Sequence, residues 1–155
     1  MVRIRAATLA DRPAVLEIAR AGMAEFGVQA DFEGFDAALG RIGAGLPPVL
    51  AEFVAQSDEG PSAAICGSII LFQTQPGTAK LTGFYVHDAV RGRGVGRALY
   101  AAVILAARTA RVQIIELETL DSMHAAVGFY ESQGWQRAAD PAPESGVNRA
   151  YFLIL

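Results

Sequence analysis

A glycine- and arginine-rich segment constrains the fold of this chain more than any other stretch. Residues 91–96 read RGRGVG, and they separate an apolar, strand-like run at residues 81–86 from a helix-like run at residues 95–110. The first amides of a helix have no partner within the helix, so a loop that enters a helix presents N–H groups outward. Glycine permits the positive φ angles that such a tight loop needs. The segment therefore predicts a strand, a loop and a helix in direct succession, with an anion-binding site at the loop.

The spacing of the glycines restricts the kind of anion site. A dinucleotide fingerprint, G-x-G-x-x-G, would need a third glycine where Arg97 stands, and a P-loop would need a Lys-Ser or Lys-Thr pair that this segment lacks. The remaining pattern is R-x-x-G-x-G, with Arg91, Gly94 and Gly96 at its fixed positions. Arg93 and Arg97 add positive charge nearby. We interpret the loop as a diphosphate site; the alternative is a surface turn that binds no ligand.

Composition excludes several classes of protein. The 155 residues suit one domain, residues 1–155, and 52% hydrophobic content is enough for a substantial core. A net charge of −3 argues against a nucleic-acid partner. The lone Cys66 lies in an apolar run, which favours a buried thiol and a reducing compartment. No apolar run approaches the roughly 20 residues of a membrane span, and the first residues lack a signal-peptide core. We therefore expect no membrane partner and a cytoplasmic location.

The order of predicted elements indicates an α/β fold. Strands are expected at residues 2–5, 49–56, 63–73, 80–87, 113–120 and 150–155, with a turn at 57–61 and a strand end plus loop within 138–148. A capping pattern, Thr8 to Asp11 with Pro13, begins the first helix, and further helices are expected at residues 35–42, 95–110 and 123–133. The resulting order is β-α-α-β-β-β-α-β-α-β. It predicts a mixed sheet of six to seven strands with helices on both faces.

A second motif lies downstream of the loop and completes a pair. Residues 126–135 read AVGFYESQGW, and Tyr130 follows Gly96 by 34 residues with one predicted strand between them. Together the two motifs resemble those of the GNAT N-acyltransferase superfamily, whose closing helix reads roughly A-I-x-F-Y-x-x-x-G-F. The resemblance covers residues 80–135 well and is weaker upstream. It implies that the strands at residues 80–87 and 113–120 run parallel and splay apart, so that acyl-CoA enters the gap.

The resemblance also implies acetyl-CoA as the cosubstrate. Backbone groups of the fourth strand should pair with the pantetheine arm like an added strand, with Gly83 as the predicted bulge. The residues implied in binding are Phe84, Tyr85, Val86, Arg91, Gly92, Arg93, Gly94, Val95, Gly96 and Arg97. Met123 stands where many relatives have asparagine, so we expect it to pack, with Asp121 or Ser122 as the helix cap.

The same resemblance places Tyr130 on the residue that protonates the departing thiolate in many relatives. Thiols titrate near ~8.5 and tyrosine near ~10, so a tyrosine stays protonated at neutral pH and can donate. Glu116 or Glu118 on the fifth strand could deprotonate the amine, although both could equally lie on the solvated end of the strand. We expect His87 to be a turn residue and His124 to be exposed. No cluster has metal-ligand spacing, so no metal is expected.

The sequence thus predicts transfer of an acetyl group from acetyl-CoA to a primary amine of a small molecule or a protein. The acceptor pocket should involve the first helices and the loops at residues 24–45 and 139–149. Acidic residues in the first loop would suit a cationic amine, or they form an ordinary solvated surface; they are Glu25, Asp31, Glu33 and Asp36. The acceptor, the acyl length and the oligomeric state stay open, a homodimer being possible. Alternatives are a sensor that binds acyl-CoA without turnover and an unrelated phosphate- or nucleotide-binding α/β protein.

Overall fold

One mixed sheet runs through the computed structural model, which describes residues 1–58 and 64–155. Its strands, in chain order, are β1 (Val2–Ala6), β2 (Val49–Ser57), β3 (Ala64–Gln75), β4 (Thr78–Val86), β5 (Ile114–Thr119), β6 (Gln136–Arg137) and β7 (Arg149–Ile154). Their order across the sheet is β1-β2-β3-β4-β5-β7-β6. Only β4 and β5 pair in parallel within the described residues. The predicted mixed sheet is confirmed, and most of the turn predicted at residues 57–61 lies outside the described residues.

Helices cover both faces of this sheet. They are α1 (Arg12–Ala24), α2 (Ala37–Gly40), α3 (Val95–Thr109) and α4 (His124–Ser132). Strand β3 shows the two-sided packing, because its side chains alternate between two cores. Ile69 and Leu71 join the core under α3, whereas Ile70 joins the core under α1 and α2. The two layers of helices therefore stand on opposite faces of the central strands.

The ends of α1 and α4 follow the signals in the sequence. Ahead of α1, the backbone N–H of Thr8 donates to the Asp11 carboxylate at 2.8 Å, as the capping pattern predicts. At the end of α4, Gly134 has a φ of +90°. Its N–H bonds to the carbonyl of Glu131, and the N–H of Trp135 bonds to the carbonyl of Tyr130. This is the glycine-dependent Schellman ending, which fixes where the chain leaves α4.

One local prediction is shortened and two are wrong. The helix expected at residues 35–42 is reduced to α2, because the Asp36 carboxylate accepts the N–H of Asp31 at 2.9 Å and holds a turn in front of it. The strand end expected within residues 138–148 lies earlier, at the two-residue β6, since two prolines in that stretch cannot donate to a ladder. The cap of α4 is Met123, without a side-chain bond. Asp121 instead forms an ion pair with Arg149.

Candidate functional site

Strands β4 and β5 diverge and leave a gap in the sheet. Their parallel pairing is confined to three positions, from Thr78 opposite Ile114 to Lys80 opposite Glu116. Beyond Lys80, β5 continues along β7 instead. The edge of β4 from residue 81 onward is therefore not paired with β5, as the sequence resemblance implies. A strand edge of this kind can accept an extended ligand through main-chain hydrogen bonds.

A bulge interrupts β4 beside this gap. Ser68 pairs with Tyr85 and Ile70 pairs with Thr82, so one residue of β3 opposes two of β4, Gly83 and Phe84. Gly83 has a φ of +60°, and its carbonyl accepts the Ser68 hydroxyl at 2.8 Å. Leu39 and Ile70 side chains would lie within 3.0 Å of any Cβ at this position. Glycine is therefore required there, and the predicted bulge at Gly83 is confirmed.

The glycine-rich loop leaves amides available at the start of α3. Gly92 and Gly94 have φ angles of +77° and +84°, and Gly94 is the N-cap of the helix. Within residues 1–58 and 64–155, no acceptor is hydrogen-bonded to the amides of Gly92, Gly94, Val95 or Gly96. Four free donors at a helix N-terminus make a site for an anion. The hypothesis of a diphosphate site thus has the backbone geometry that it requires.

The arginines near the loop are placed differently from one another. Arg91 forms a two-pronged ion pair with Glu25 at the end of α1, at 2.8 and 3.0 Å, and its Nε donates to the carbonyl of Val86. Arg97 is exposed and lines the cavity described next, whereas Arg93 is exposed and does not line it. The expectation of three arginines acting together is therefore modified, because the charge of Arg91 is already paired across 66 positions of sequence.

A first cavity of 460 Å³ lies between the loop, β4, α4 and the end of α1. Nine of the ten residues implied in cofactor binding line it, all except Arg93: Phe84, Tyr85, Val86, Arg91, Gly92, Gly94, Val95, Gly96 and Arg97. Facing them are Ala126, Phe129 and Tyr130 of α4. Phe129 is half-buried and packs edge-on against Phe84, with ring centroids 6.1 Å apart. The wall opposite the loop is therefore apolar.

Tyr130 stands at the inner end of the first cavity. The residue is only 6% exposed, and its hydroxyl makes no hydrogen bond with any described residue. No fully buried side-chain polar atom of the described residues lacks a partner, so this hydroxyl is open to the cavity. Burial raises its pKa above the ordinary tyrosine value, and the nearby Tyr85 and Tyr100 add to this effect. The ring packs against Trp135 and Phe84, with centroids 5.6 and 6.4 Å away. A rigid, uncharged hydroxyl without a protein partner is thus available to a ligand.

A second cavity of 400 Å³ meets the first at Tyr130, which lines both. Its walls come from the region after α1, from β4 and β5, and from residues 144–147, so the loops expected to form an acceptor pocket do border it. Glu118 lines this cavity, and its carboxylate lies 3.4 Å from Nζ of Lys80. Glu116 is exposed and lines neither cavity. The structure therefore separates the two candidate bases.

The two histidines and the cysteine lie outside both cavities. Nδ1 of His87 accepts the N–H of Ala89 at 3.1 Å, so this histidine shapes a turn, as expected. His124 is exposed at the first turn of α4, also as expected. Cys66 is buried, and burial raises the pKa of its thiol. In the part of the chain that the structure describes, no group of three or more His, Cys, Asp or Glu side chains could hold a metal ion. No helix there is long and apolar enough to cross a bilayer.

Sequence reasoning did not foresee where two of the residues that it named place their side chains. The Tyr85 side chain lines both cavities and packs against Gly22, whose added Cβ would meet it at 2.8 Å. Burial raises the pKa of Tyr85 to about 12, with the charge of Asp36 contributing. Met123 also lines both cavities, which goes beyond the packing role expected for it. Because side chains alternate along a strand, the sequence could have predicted that Tyr85 and Phe84 lie on opposite faces of β4. No sequence signal predicts that Tyr85 packs against Gly22.

Comparisons with known proteins agree with this geometry. The chain is similar to an acetyltransferase of the GNAT family from Staphylococcus aureus, with a TM-score of 0.85, 20% identity and 99% of both chains covered. It is similar to a putative acetyltransferase from Salmonella typhimurium solved with its cofactor acetyl-CoA, with a TM-score of 0.75 and 19% identity over 99% of this chain and 93% of that one.

A ribosomal-protein-alanine N-acetyltransferase from Brucella melitensis has a TM-score of 0.73 and 23% identity, with 99% of both chains covered. At these identities the likeness shows the shared fold. Among curated protein sequences, none matches this chain significantly. The sequence profile of the acetyltransferase (GNAT) family, however, matches residues 17–135. This match covers most of the chain, including the loop, the bulged strand and the helix that carries Tyr130, and the protein therefore belongs to the GNAT acetyltransferase family.

Proposed function

We propose that this protein transfers an acetyl group from acetyl-CoA to a primary amine of a small molecule or a protein. The observation that carries the proposal is the meeting of two cavities at Tyr130, a buried tyrosine whose hydroxyl has no partner among the described residues. The loop with its free amides lines one cavity, and β4, β5 and residues 144–147 line the other. Such an arrangement suits two substrates that react where their pockets join.

In this proposal the first cavity holds the cosubstrate. The amides of Gly92, Gly94, Val95 and Gly96 would bind the diphosphate, and the unpaired edge of β4 at residues 84–86 would bind the pantetheine arm. The apolar wall formed by Phe84 and Phe129 suits the aliphatic part of that arm. The Salmonella neighbour, whose structure contains acetyl-CoA, supports the choice of cosubstrate. A backbone N–H beside the bulge would stabilise the developing oxyanion.

The reaction needs two proton movements. The amine nitrogen forms a bond to the thioester carbonyl carbon, and the carbon–sulfur bond breaks. Tyr130 gives its hydroxyl proton to the departing thiolate, while the amine proton passes to Glu118, directly or through water. Glu118 then releases this proton to water and Tyr130 takes one up from water, so both residues return to their starting states. The products are an amide and free coenzyme A thiol. The burial that raises the pKa of Tyr130 also raises the basicity of a thiolate in the same cavity, so donation between them stays favourable.

The proposal places the general base at Glu118 rather than Glu116. Glu118 lines the second cavity, whereas Glu116 lines neither cavity. The Glu118 carboxylate also forms an ion pair with Lys80 of β4 at 3.4 Å, which holds it at the wall of this cavity. Glu118→Gln should therefore slow turnover at saturating acetyl-CoA more than Glu116→Gln does.

A two-part experiment tests the proposed function. First, acetyl-CoA should raise the melting temperature of the purified protein by mass action, whereas ATP and NAD at the same concentration should raise it much less. Second, a panel of primary amines should yield free thiol from acetyl-CoA in an enzyme-dependent reaction. Equal shifts with all three ligands would remove the basis for a coenzyme A site. A selective shift without thiol release from any amine would identify a sensor that binds acyl-CoA without turnover.

A further inference from the structure

Carboxylates surround the second cavity from three separate parts of the chain. Asp36 comes from the turn before α2, Glu118 from β5, and Glu144 from the loop before β7. Among the described residues that line this cavity, the cationic side chain is Lys80, and it is paired with Glu118 at 3.4 Å. Asp36 and Glu144 have no cationic partner among the described residues. The side chains that line this cavity therefore carry net negative charge.

The two remaining carboxylates differ in how they are held. One oxygen of Asp36 accepts the backbone N–H of Asp31 at 2.9 Å, which fixes the direction of the carboxylate. Its charge acts on the Tyr85 hydroxyl within the cavity, since it helps to raise the pKa of that group. Glu144 is exposed and makes no hydrogen bond or ion pair with the described residues. One carboxylate is therefore fixed in place, and the other can adjust to a bound cation.

An independent observation points to a ligand in the same place. Tyr130 lines the second cavity as well as the first; it is 6% exposed and its hydroxyl has no partner among the described residues. No fully buried side-chain oxygen or nitrogen of the described residues lacks a partner, so this hydroxyl is open to the cavity and can bond to a ligand there. The rings of Tyr85 and Phe35 also line this cavity and offer faces that attract cations. The polar and aromatic groups of the cavity thus converge on one bound molecule.

We propose that the acceptor is a small linear diamine or oligoamine, with its second ammonium group held by Asp36 and Glu144. This rests on the proposed function. An attacking amine must be neutral, and a carboxylate beside it would favour its charged, unreactive form. Asp36 and Glu144 are not the proposed base, so they are suited to bind a second nitrogen of the same molecule, one that stays protonated. A cavity of 400 Å³ is of the size that holds a small molecule.

Three amines with the same chain length test the proposal. Putrescine (the four-carbon diamine), butylamine and γ-aminobutyrate each contain four carbons and carry at the far end an ammonium, a methyl and a carboxylate group respectively, and putrescine rates are counted per amino group. In a thiol-release assay at low ionic strength, kcat/KM should be at least about tenfold higher for putrescine than for butylamine, and lowest for γ-aminobutyrate. Equal kcat/KM for putrescine and butylamine would overturn the proposal. A cationic peptide that exceeds putrescine would also overturn it, in favour of a protein acceptor.

Substitutions locate the effect in the cavity. Glu144→Gln should lower the putrescine-to-butylamine ratio of kcat/KM by about threefold or more, and Asp36→Asn should do the same. Glu17→Gln makes the same change of net charge at an exposed position of α1 that lines neither cavity, so it should keep the ratio. Asp36→Asn could disturb the Asp31 turn, but Glu144 makes no such contact. An unchanged ratio for Glu144→Gln would contradict the proposal.

Failure of the proposed function can be told apart from failure of this inference. If no amine releases thiol, the acetyl-transfer proposal fails, and calorimetric titration of the coenzyme A-loaded protein still compares the amines as ligands. Putrescine should then bind at least about tenfold more tightly than butylamine, and Glu144→Gln should reduce that preference. Equal affinities would overturn the inference, whatever the outcome of the kinetic assay.

Discussion

The two cavities of this protein are built in different ways, although residues such as Tyr85 and Tyr130 line both. The first takes its polar groups from backbone amides of a single loop, those of Gly92, Gly94, Val95 and Gly96. The second takes its polar groups from side chains of three distant segments, around Asp36, Glu118 and Glu144. A contiguous backbone site depends on glycine conformation, whereas a dispersed side-chain site depends on tertiary packing. We therefore expect side-chain substitutions to change the ligand of the first cavity little. We expect the second cavity to determine which acceptor is used.

The strongest test of this contrast uses two glycines with similar backbone angles. Gly94 in the loop and Gly146 at the second cavity have φ angles of +84° and +82°, and a Cβ at either would have nothing within 4 Å. Valine at each position carries a similar strain, about 1–2 kcal/mol. Gly94→Val should abolish acetyl-CoA binding within the measurable range, because the side chain fills the approach of the diphosphate. Gly146→Val should leave that affinity within about twofold, as measured by calorimetric titration.

Unimpaired acetyl-CoA binding by Gly94→Val would show that the loop amides do not form the anion site. Equal losses in both glycine variants would mean that strain in the fold, rather than blocked access, controls affinity. Either result would remove the distinction between the two cavities.

The next largest effect is expected at the junction. Tyr130→Phe removes the hydroxyl and keeps the ring that packs against Trp135. We expect kcat to fall by about a hundredfold, the lower range for loss of a general acid, with little change in the affinity for acetyl-CoA. Because burial raises the pKa of Tyr130, the wild-type rate should not decline between pH 7 and about 10 through loss of its proton. Steady-state kinetics across this pH range, with the protein shown to stay folded, provide the measurement.

An unchanged kcat in Tyr130→Phe would exclude the hydroxyl from the mechanism. Tyr151→Phe is a matched control, since that hydroxyl donates to Glu131 at 2.7 Å and Tyr151 lines neither cavity. Its kcat should stay within about threefold of the wild-type value.

A third prediction concerns α1, which contributes to both cavities. Arg5 holds the Asp11 carboxylate at 2.7 and 2.8 Å ahead of this helix and lowers its pKa to about 2. A depressed folded-state pKa means that this stabilisation is complete above the unfolded value of 3.8 and is lost as the pH falls towards 2. Asp11→Asn should lower the free energy of unfolding at pH 7 by about 2 kcal/mol. Urea denaturation at several pH values measures this, and the difference should shrink in acid.

The exposed Arg137–Asp140 pair, with 3.1 Å between its atoms, provides the control for this helix-anchoring contact. Asp140→Asn should cost under about 0.5 kcal/mol at any pH. Asp11→Asn could instead leave the free energy of unfolding unchanged and alter the affinity for acetyl-CoA. The Arg5–Asp11 contact would then shape a cavity and would not stabilise the fold.

The smallest effect is expected at Glu25, which neutralises Arg91 beside the first cavity. Both side chains are largely exposed, so the pair contributes little to stability. Glu25→Gln removes a negative charge near the proposed diphosphate site and releases Arg91. Acetyl-CoA should then bind about threefold more tightly at low salt, and the gain should vanish at high ionic strength. Weaker binding at low salt would indicate instead that Glu25 positions Arg91 for the ligand.

Local sequence signals predicted the first cavity well. The run at residues 91–96 predicts a tight turn at the start of a helix. Gly92 and Gly94 adopt the positive φ angles that this turn needs before α3, and glycine does so without a steric cost. Gly83 marked the bulge, and Gly134 marked the end of α4. Along β5, alternation separated buried Ile115 and Leu117 from exposed Glu116 and Glu118. Each of these features depends on residues within a few positions of one another.

Alternation could not decide which exposed glutamate borders a cavity, because both lie on the same face of β5. That choice depends on where β4 leaves β5, just after Lys80. The pairing of Arg91 with Glu25 and the position of Tyr85 against Gly22 likewise join residues that are more than 60 positions apart. No local propensity encodes such contacts. The expected cap at Asp121 is wrong for the same reason, since its carboxylate binds Arg149 of β7 instead.

The sequence by itself determined the order of the main strands and helices, the loop conformation and the identity of the tyrosine at the end of the motif pair. Backbone sterics and hydrophobic periodicity act over short distances, so they can be read directly from the chain. Only the tertiary structure decided that two cavities meet at Tyr130 and that Asp36 and Glu144 share one of them with Glu118. Those proximities arise because a sheet with diverging strands brings distant loops to the same edge, and the energy that selects them comes from packing of the whole core.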